Sequence, residues 1–262
     1  MTVPAEVDTI HVGRGHLEYY EIAARDGQHD LAPLVFLHEG LGSLRLWRTF
    51  PADVAHATGR RALVYSRHGY GASAVISEPH TVDYMHHEAQ VILPEVFDRL
   101  GYESPVLIGH SDGASIALIR AATSTTTAAV VAMAPHVIVE EVALEGIRQT
   151  GVEFGTSALP ERLGRYHTDA HATFRGWHDI WLSEEFTDWD LRPLLAGVTC
   201  PVLAVQGQQD QYATMRQLDL IAHGVSGEFH RLELPDCRHS PHLDKPLQTV
   251  AAVTRFLADL AG

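Results

Sequence analysis

Residues 105–113 read Pro-Val-Leu-Ile-Gly-His-Ser-Asp-Gly, an apolar run that ends in a Gly-x-Ser-x-Gly motif. Residues 114–122 follow at once and have the composition of a helix. A serine hydroxyl becomes an effective nucleophile when a sharp turn between strand and helix holds it exposed beside a base. Gly109 and Gly113 allow such a turn to close, and the helix N-terminus directs backbone N–H groups towards an oxyanion. We therefore take Ser111 as the candidate nucleophile.

The composition is that of an ordinary globular protein. The chain has 262 residues, of which 45% are hydrophobic and 20% are charged. This length suits one large α/β domain or two small ones, with a core that needs no metal or disulfide. The formal net charge of −14 repels phosphate backbones, so no nucleic-acid partner is expected.

The two cysteines and the absence of targeting segments indicate a cytoplasmic protein. Cys200 and Cys237 border two predicted parallel strands at opposite ends, too far apart for a disulfide. The N-terminal Met-Thr-Val-Pro-Ala-Glu has no basic and apolar regions of a signal peptide. No apolar run approaches the roughly 20 residues of a membrane helix, so no membrane partner is expected.

Short β-branched runs alternate with helical patterns along most of the chain. This alternation predicts a mostly parallel sheet with helices on both faces. Pro51 favours a helix that begins near Phe50, and Pro94 predicts a kink in the second helix, whose apolar stripe includes Tyr84 and Val91. The predicted strands are 10–12, 17–22, 34–37, 62–66, 106–109, 129–134, 202–206 and 229–234. The predicted helices are 44–58, 81–100, 114–122, 214–223 and 247–260.

Residues 137–196 interrupt this rhythm. They show several short helical patterns rich in aromatic residues and no convincing strand alternation. A segment of this length is too long for a bare loop in a compact domain. We expect a helical insert that covers the active site, with residues 1–136 and 197–262 forming the core; the alternative is a helical extension without a role in the site.

Two further residues fall where partners of Ser111 are needed. Asp210 follows the strand 202–206, and His239 follows the strand 229–234. The carboxyl ends of parallel strands meet at one edge of a sheet, so both side chains are expected beside Ser111. A base and an orienting acid complete a nucleophilic site of this type.

These features together resemble the α/β-hydrolase fold superfamily over nearly the whole chain. The resemblance implies an eight-stranded, mostly parallel sheet with a helical cap insert, and a nucleophile–acid–base order of Ser111, Asp210 and His239. Five stretches carry it: Phe36-Leu-His-Glu-Gly-Leu-Gly-Ser43, Ser66-Arg-His-Gly-Tyr-Gly-Ala-Ser73, Gly109-His-Ser-Asp-Gly113, Gly207-Gln-Gln-Asp210, and His239-Ser-Pro-His242 with Asp244-Lys-Pro246.

The resemblance also implies roles for individual residues. Ser111 would attack a carbonyl, His239 would act as the base, and Asp210 would orient the imidazole. The amide of Asp112 would donate one hydrogen bond to the oxyanion. The second would come from the amide of Gly40 or Leu41, a choice left open because Glu39 stands where relatives usually have glycine.

The pocket residues are expected to be Glu39, His110, Trp177 and Trp181. Glu39 has two interpretations: an ion pair with Arg67 that organises the floor of the site, or a functional role in which it contacts substrate or acts on water. Trp177 and Trp181 share a helix face and would pack the insert on the core or contact an apolar substrate.

No metal and no cofactor are expected. His167 and His171 have a spacing that can bind zinc, but the internal glutamate of a zinc protease motif and a third ligand are missing. No Gly-x-Gly-x-x-Gly motif lies between a strand and a helix.

The sequence therefore predicts a serine hydrolase, of the carboxylic ester hydrolase class, that cleaves a small ester or lactone. Peptidase and haloperoxidase-like activities stay open. A carbon–carbon bond hydrolase of a ring-cleavage pathway is an alternative, although Ser240 stands where such enzymes often have tryptophan. A non-catalytic ligand receptor on the same scaffold is another. The expected partner is a small molecule, and the expected state is a monomer or homodimer.

Overall fold

The computed structural model describes residues 6–260 apart from 27 and 29. The prediction that no signal peptide is present depends on the first six residues, five of which lie outside the described part. The outer ends of the predicted core, residues 1–5 and 261–262, lie outside it as well.

The described chain alternates strands with helices. The strands are β1 (Asp8–Val12), β2 (Gly15–Ile22), β3 (Leu34–Leu37), β4 (Ala62–Tyr65), β5 (Val106–His110), β6 (Ala129–Met133), β7 (Val202–Gly207) and β8 (Phe229–Leu234). The helices are α1 (Phe50–Thr58), α2 (Tyr84–His87), α3 (Leu93–Leu100), α4 (Asp112–Ala122), α5 (Glu141–Thr156), α6 (Leu159–Leu163), α7 (Ala170–Trp181), α8 (Arg192–Leu195), α9 (Arg216–Gly224), α10 (Pro241–Asp244) and α11 (Pro246–Asp259).

All eight strands form one sheet in the order β1-β2-β4-β3-β5-β6-β7-β8. The first two strands pair as a hairpin, and β2 pairs antiparallel with β4. The remaining neighbours are parallel. The predicted mostly parallel, eight-stranded α/β sheet is therefore confirmed. Because β5, β7 and β8 are parallel, the segments that follow them leave the sheet at the same edge.

Successive residues of the buried strands face opposite sides of the sheet. On β3, Val35 and Leu37 belong to one apolar cluster, whereas Leu34 and Phe36 belong to the other. The first cluster includes residues of α3, α4 and α7, and the second includes residues of α1 and α11. Helices thus cover both faces, as the continuous apolar strands predicted.

The helix predicted over 81–100 is interrupted in the structure. A π-helical turn over Glu88–Ile92 separates α2 from α3, and Pro94 lies in the first turn of α3. Proline cannot donate the usual hydrogen bond and collides with the preceding turn, which the wider turn accommodates. The change of phase leaves Val91 50% exposed, so its predicted place in the apolar stripe is wrong.

Residues 141–195 contain the helices α5 to α8 joined by turns, and Asp190 in one of these connections forms an isolated β-bridge with Ile138. Helix α5 buries little of its surface, while α7 buries an aromatic face that includes Trp177 and Trp181. Cys200 and Cys237 are free thiols. Within residues 6–260, 27 and 29 aside, no helix combines the length and apolarity needed to cross a membrane.

Candidate active site

Ser111 lies on the turn between β5 and α4 in a backbone conformation that few residues adopt. Its φ of 53° and ψ of −119° are sterically unfavourable for any residue with a Cβ. The turn is held because the Ser111 amide donates to the Met133 oxygen at 2.9 Å. A Cβ on Gly109 would collide with the Gly113 backbone, and one on Gly113 would collide with the Leu37 backbone. Both glycines are therefore required for this turn.

Ser111, His239 and Asp210 meet at the carboxyl edge of the sheet. The Ser111 Oγ lies 2.9 Å from His239 Nε2. His239 Nδ1 lies 2.8 and 2.9 Å from the two carboxylate oxygens of Asp210. Such an arrangement can transfer a proton from the hydroxyl to the imidazole while the carboxylate orients the ring.

The Asp210 carboxylate is buried but well supplied with donors. The Tyr212 amide donates to it at 2.8 Å, and the Gln206 side-chain amide donates to its other oxygen. Burial alone would raise the pKa of Asp210. The charge and hydrogen bond of His239 and the hydrogen bond from the Tyr212 amide outweigh this effect, so the pKa lies below its usual value. Asp210 is thus held as the carboxylate. Sequence patterns gave no signal for Gln206, a residue inside a buried strand.

The peptide bond between Glu39 and Gly40 has an unusually well-bonded carbonyl oxygen. The Glu39 oxygen accepts from His38 Nδ1 at 2.7 Å, from Arg67 Nη2 at 3.0 Å and from the Gly42 amide at 3.0 Å. Gly40 lines the same cavity as Ser111. Its amide has no acceptor in the part of the chain that the structure describes. This amide is therefore available to a ligand.

His38 is a neutral imidazole with a fixed tautomer. Its Nε2 lies 3.0 Å from the Arg67 amide and accepts that hydrogen bond. The proton must then be on Nδ1, which donates to the Glu39 oxygen. Burial, followed by the charge of Arg67, lowers the pKa of His38 well below its usual value.

The side chain of Asp112 points away from its own amide into a buried polar network. The Tyr84 hydroxyl donates to Asp112 Oδ2 at 2.6 Å, and Trp181 Nε1 donates to the Tyr84 oxygen at 3.1 Å. Arg67 Nη2 lies 3.9 Å from the same carboxylate oxygen. The residue after Ser111 is thereby connected to α2 and α7. The Asp112 amide lies in the first turn of α4, where helical geometry leaves N–H groups without an internal partner.

The predicted ion pair between Glu39 and Arg67 is wrong. Arg67 contacts the main-chain oxygen of Glu39, whereas the Glu39 carboxylate lies 3.4 Å from His110 Nδ1. Burial raises the pKa of Glu39, but the hydrogen bond and charge of His110 outweigh it and lower the pKa. Burial lowers the pKa of His110, but Glu39 raises it above the usual value. The two groups therefore form the ion pair.

His110 was expected to line the substrate pocket, and this expectation is wrong. Its side chain is 2% exposed and packs between Trp47 and His242. Both ring nitrogens already have protein partners, because Nε2 lies 2.7 Å from the main-chain oxygen of His239. Position 110 thus lies behind the pocket wall and joins two of its loops.

Ser111 and His239 open into a small cavity of about 100 Å³. Helices α5 and α7 supply one wall, formed by Ala143, Ile147, Trp177 and Trp181. Glu39, whose side chain is 26% exposed, lines the cavity together with Leu41. Sequence reasoning missed four of the lining residues: Ala143 and Ile147 on α5, and His136 and Tyr212, which each follow a strand in a loop without a recognisable motif.

A larger cavity of about 260 Å³ includes Arg67, Tyr84 and Glu88 in its lining but neither Ser111 nor His239.

His167 is occupied by protein contacts, since it bonds the Gly71 amide and the Leu41 oxygen. Among the described residues, no group of three or more His, Cys, Asp or Glu side chains is arranged to hold a metal ion.

Comparison with known proteins agrees with this architecture. The sequence profile of the alpha/beta hydrolase family matches residues 34–253. The chain is 23% identical to a proline iminopeptidase of Levilactobacillus brevis over 94% of each protein. Solved structures with a similar fold include the enol-lactonase from Burkholderia xenovorans, with a TM-score of 0.73 and 20% identity over 96% of this chain and 100% of that one. They also include an esterase from Thermogutta terrifontis, with a TM-score of 0.69 and 20% identity over 98% and 99% of the two chains.

Proposed function

The chain belongs to the alpha/beta hydrolase family, and from this premise we propose that it is a serine hydrolase that cleaves a small carboxylic ester or lactone. Family membership supports hydrolysis in general. The finer proposal depends on one observation: Ser111, His239 and Asp210 form a continuous hydrogen-bonded series with contacts of 2.8–2.9 Å.

The reaction would proceed through an acyl-enzyme. Ser111 Oγ adds to the substrate carbonyl as its proton passes to His239 Nε2. The amides of Asp112 and Gly40 donate to the developing oxyanion, and His239 then protonates the leaving oxygen. A water molecule, activated by the same imidazole, releases the acid and restores Ser111.

The size of the cavity limits the substrate. A volume of about 100 Å³ is well below the roughly 300–1,000 Å³ of pockets for drug-sized ligands. It is also smaller than the ~150 Å³ cavity that holds benzene in an engineered protein core. We therefore propose a short acyl group. In this proposal residues 137–196 act as the cap, because α5 and α7 provide the apolar wall that excludes water from the reaction.

The test compares wild type with Ser111→Ala on p-nitrophenyl esters of increasing acyl length. Wild type should hydrolyse esters with acyl groups from acetate to butyrate faster than the octanoate ester. An alkyl fluorophosphonate should label Ser111 stoichiometrically. Ser111→Ala should lose turnover by at least about a thousandfold and keep its fold. Ser77→Ala, which changes an exposed serine, is the matched control and should behave like wild type. Equal hydrolysis by pure Ser111→Ala would refute the proposal.

The similarity to a proline iminopeptidase favours peptide-bond hydrolysis as a second candidate. The same three residues would serve that reaction, with an amine as the leaving group. Prolyl-7-amido-4-methylcoumarin distinguishes it: release of 7-amino-4-methylcoumarin at a higher kcat/KM than that for p-nitrophenyl acetate would favour the peptidase. A carbon–carbon bond hydrolase would instead cleave a vinylogous diketone, and a receptor would bind ligands without turnover.

A further inference from the structure

Arg67 is a buried cation that contacts both segments of the proposed oxyanion hole, and its guanidinium also lies over the Tyr70 ring, 4.5 Å from the ring centre. Its side chain is 3% exposed. One nitrogen, Nη2, donates to the Glu39 oxygen at 3.0 Å and to the His38 oxygen at 3.4 Å, and lies 3.9 Å from Asp112 Oδ2. Burial of a guanidinium is unfavourable unless such partners compensate it.

The planarity of the peptide bond connects Arg67 to Gly40. The peptide bonds in the described residues are trans, so the Glu39 carbonyl and the Gly40 N–H point in opposite directions. Donors that hold the carbonyl oxygen on the protein side therefore direct the N–H into the cavity that contains Ser111. The main-chain amide of Arg67 donates to His38 Nε2 and so places the His38 proton on Nδ1, which is the second side-chain donor to the Glu39 oxygen.

The same guanidinium faces the residue that carries the other amide. Asp112 Oδ2 accepts from Tyr84 and lies within ion-pair distance of Arg67. Burial raises the pKa of Asp112, and the charge of Arg67 opposes this rise. One buried cation thus contacts the backbone of the β3 loop and the first residue of α4, the two segments that supply the proposed donors.

The geometry points to Arg67 as a positioning residue of the oxyanion hole, which aligns the Gly40 and Asp112 amides without touching the substrate. This inference rests on the proposed function. It also favours Gly40 over Leu41 as the donor from the loop, since the carbonyl that is held belongs to the Glu39–Gly40 peptide.

Loss of the Arg67 guanidinium should weaken binding of the transition state and leave binding of the substrate nearly unchanged. Arg67→Met should lower kcat on p-nitrophenyl acetate by about a hundredfold, close to the loss of one oxyanion donor, with KM within threefold of wild type. Arg67→Lys, which keeps a cation able to donate to the Glu39 oxygen but loses the planar fork and the longer reach of the guanidinium, should lose about tenfold.

A tetrahedral adduct provides an independent measurement. Ser111 Oγ adds to the carbonyl of 1,1,1-trifluorobutan-2-one, the C=O π bond breaks, and the proton passes to His239, which leaves a hemiketal oxyanion. In Arg67→Met and Arg67→Lys, the inhibition constant of this trifluoroketone should rise in parallel with the fall in kcat. Inhibition by butan-2-one, a ground-state ligand of similar shape, should change less than threefold.

Arg60 offers a matched control. It is another buried arginine that donates to main-chain oxygens, those of Ala32 and Leu257, and none of these three residues lines the cavity that contains Ser111. Arg60→Met should lower the melting temperature and leave kcat and the trifluoroketone constant unchanged at 20 °C.

Three outcomes are distinguishable. If the inhibition constants of the trifluoroketone in Arg67→Lys and Arg67→Met lie within twofold of the wild-type value, the role of Arg67 is overturned and the proposed function is not. Equal weakening of both ketones would overturn it as well, because it would indicate a purely structural effect. If Arg67→Met fails to fold, Arg67→Lys decides. Wild type that resists both the ketone and the fluorophosphonate would instead refute the proposed function.

Discussion

The imidazole of His110 contacts the main-chain oxygen of His239 at 2.7 Å, although the two residues are 129 positions apart. Because an oxygen acceptor requires an N–H, Nε2 carries a proton. The other ring nitrogen faces the Glu39 carboxylate at 3.4 Å. His110 therefore joins the loop that bears His239 to the loop that bears Gly40, and an imidazolium can donate to both.

Glu39→Gln should destabilise the protein in a pH-dependent manner. The raised pKa of His110 contributes stability below its unfolded value of 6.5, and this is lost as pH rises through the folded pKa. The lowered pKa of Glu39 contributes stability above 4.5, and this is lost as pH falls through the folded pKa. The melting-temperature difference from wild type should thus be larger at pH 6 than at pH 9. Glu103→Gln, at an exposed position, is the control, and an equal difference at both pH values would contradict the ion pair.

Asp210→Asn should lower kcat by about four orders of magnitude, as the equivalent change does in a serine protease. The amide would donate to His239 Nδ1 and leave the proton on Nε2, so the imidazole could not accept from Ser111. Steady-state kinetics with p-nitrophenyl acetate measure the loss. Asp98→Asn, on the exposed face of α3, should retain wild-type turnover. A loss of less than tenfold in Asp210→Asn would argue against the orienting role.

Gly40→Ala should abolish activity through a collision with the insert. A Cβ at position 40 would overlap the indole of Trp177, so the loop would have to move. Trp177→Leu should partly restore the alanine variant, and the two substitutions should be non-additive in kcat. Gly155→Ala adds a methyl group where no atom lies within 4 Å and should be neutral or slightly stabilising. Additive effects of the first pair would show that no such contact exists.

Tyr84→Phe should lower the free energy of unfolding by about 1–3 kcal/mol, because Asp112 and Trp181 both lose a buried partner. For a chain of this size each kcal/mol corresponds to about 2–4 °C in melting temperature. Thermal unfolding of Tyr84→Phe measures this loss of stability. Tyr166→Phe is the control, since the Tyr166 hydroxyl has no hydrogen bond among the described residues. An unchanged melting temperature in Tyr84→Phe would mean that water replaces the hydroxyl.

The sequence by itself determined the sheet and the candidate nucleophile. Apolar runs such as Val106–Ile108, which lie in a strand buried on both faces, leave little choice of structure. The Gly-x-Ser-x-Gly turn is equally local, because steric limits at Gly109 and Gly113 act over five residues. Asp210 and His239 follow the ends of parallel strands, so topology alone brought them to one edge.

Only the tertiary structure decided which charged groups pair around the site. Glu39 and Arg67 were plausible partners because each follows a neighbouring strand, yet their side chains leave the shared edge in different directions. Arg67 reached a carbonyl and Asp112, and Glu39 reached His110. Strand periodicity fixes the side of the sheet on which a residue lies, but the direction of a long side chain in a loop depends on the packing of every element around it.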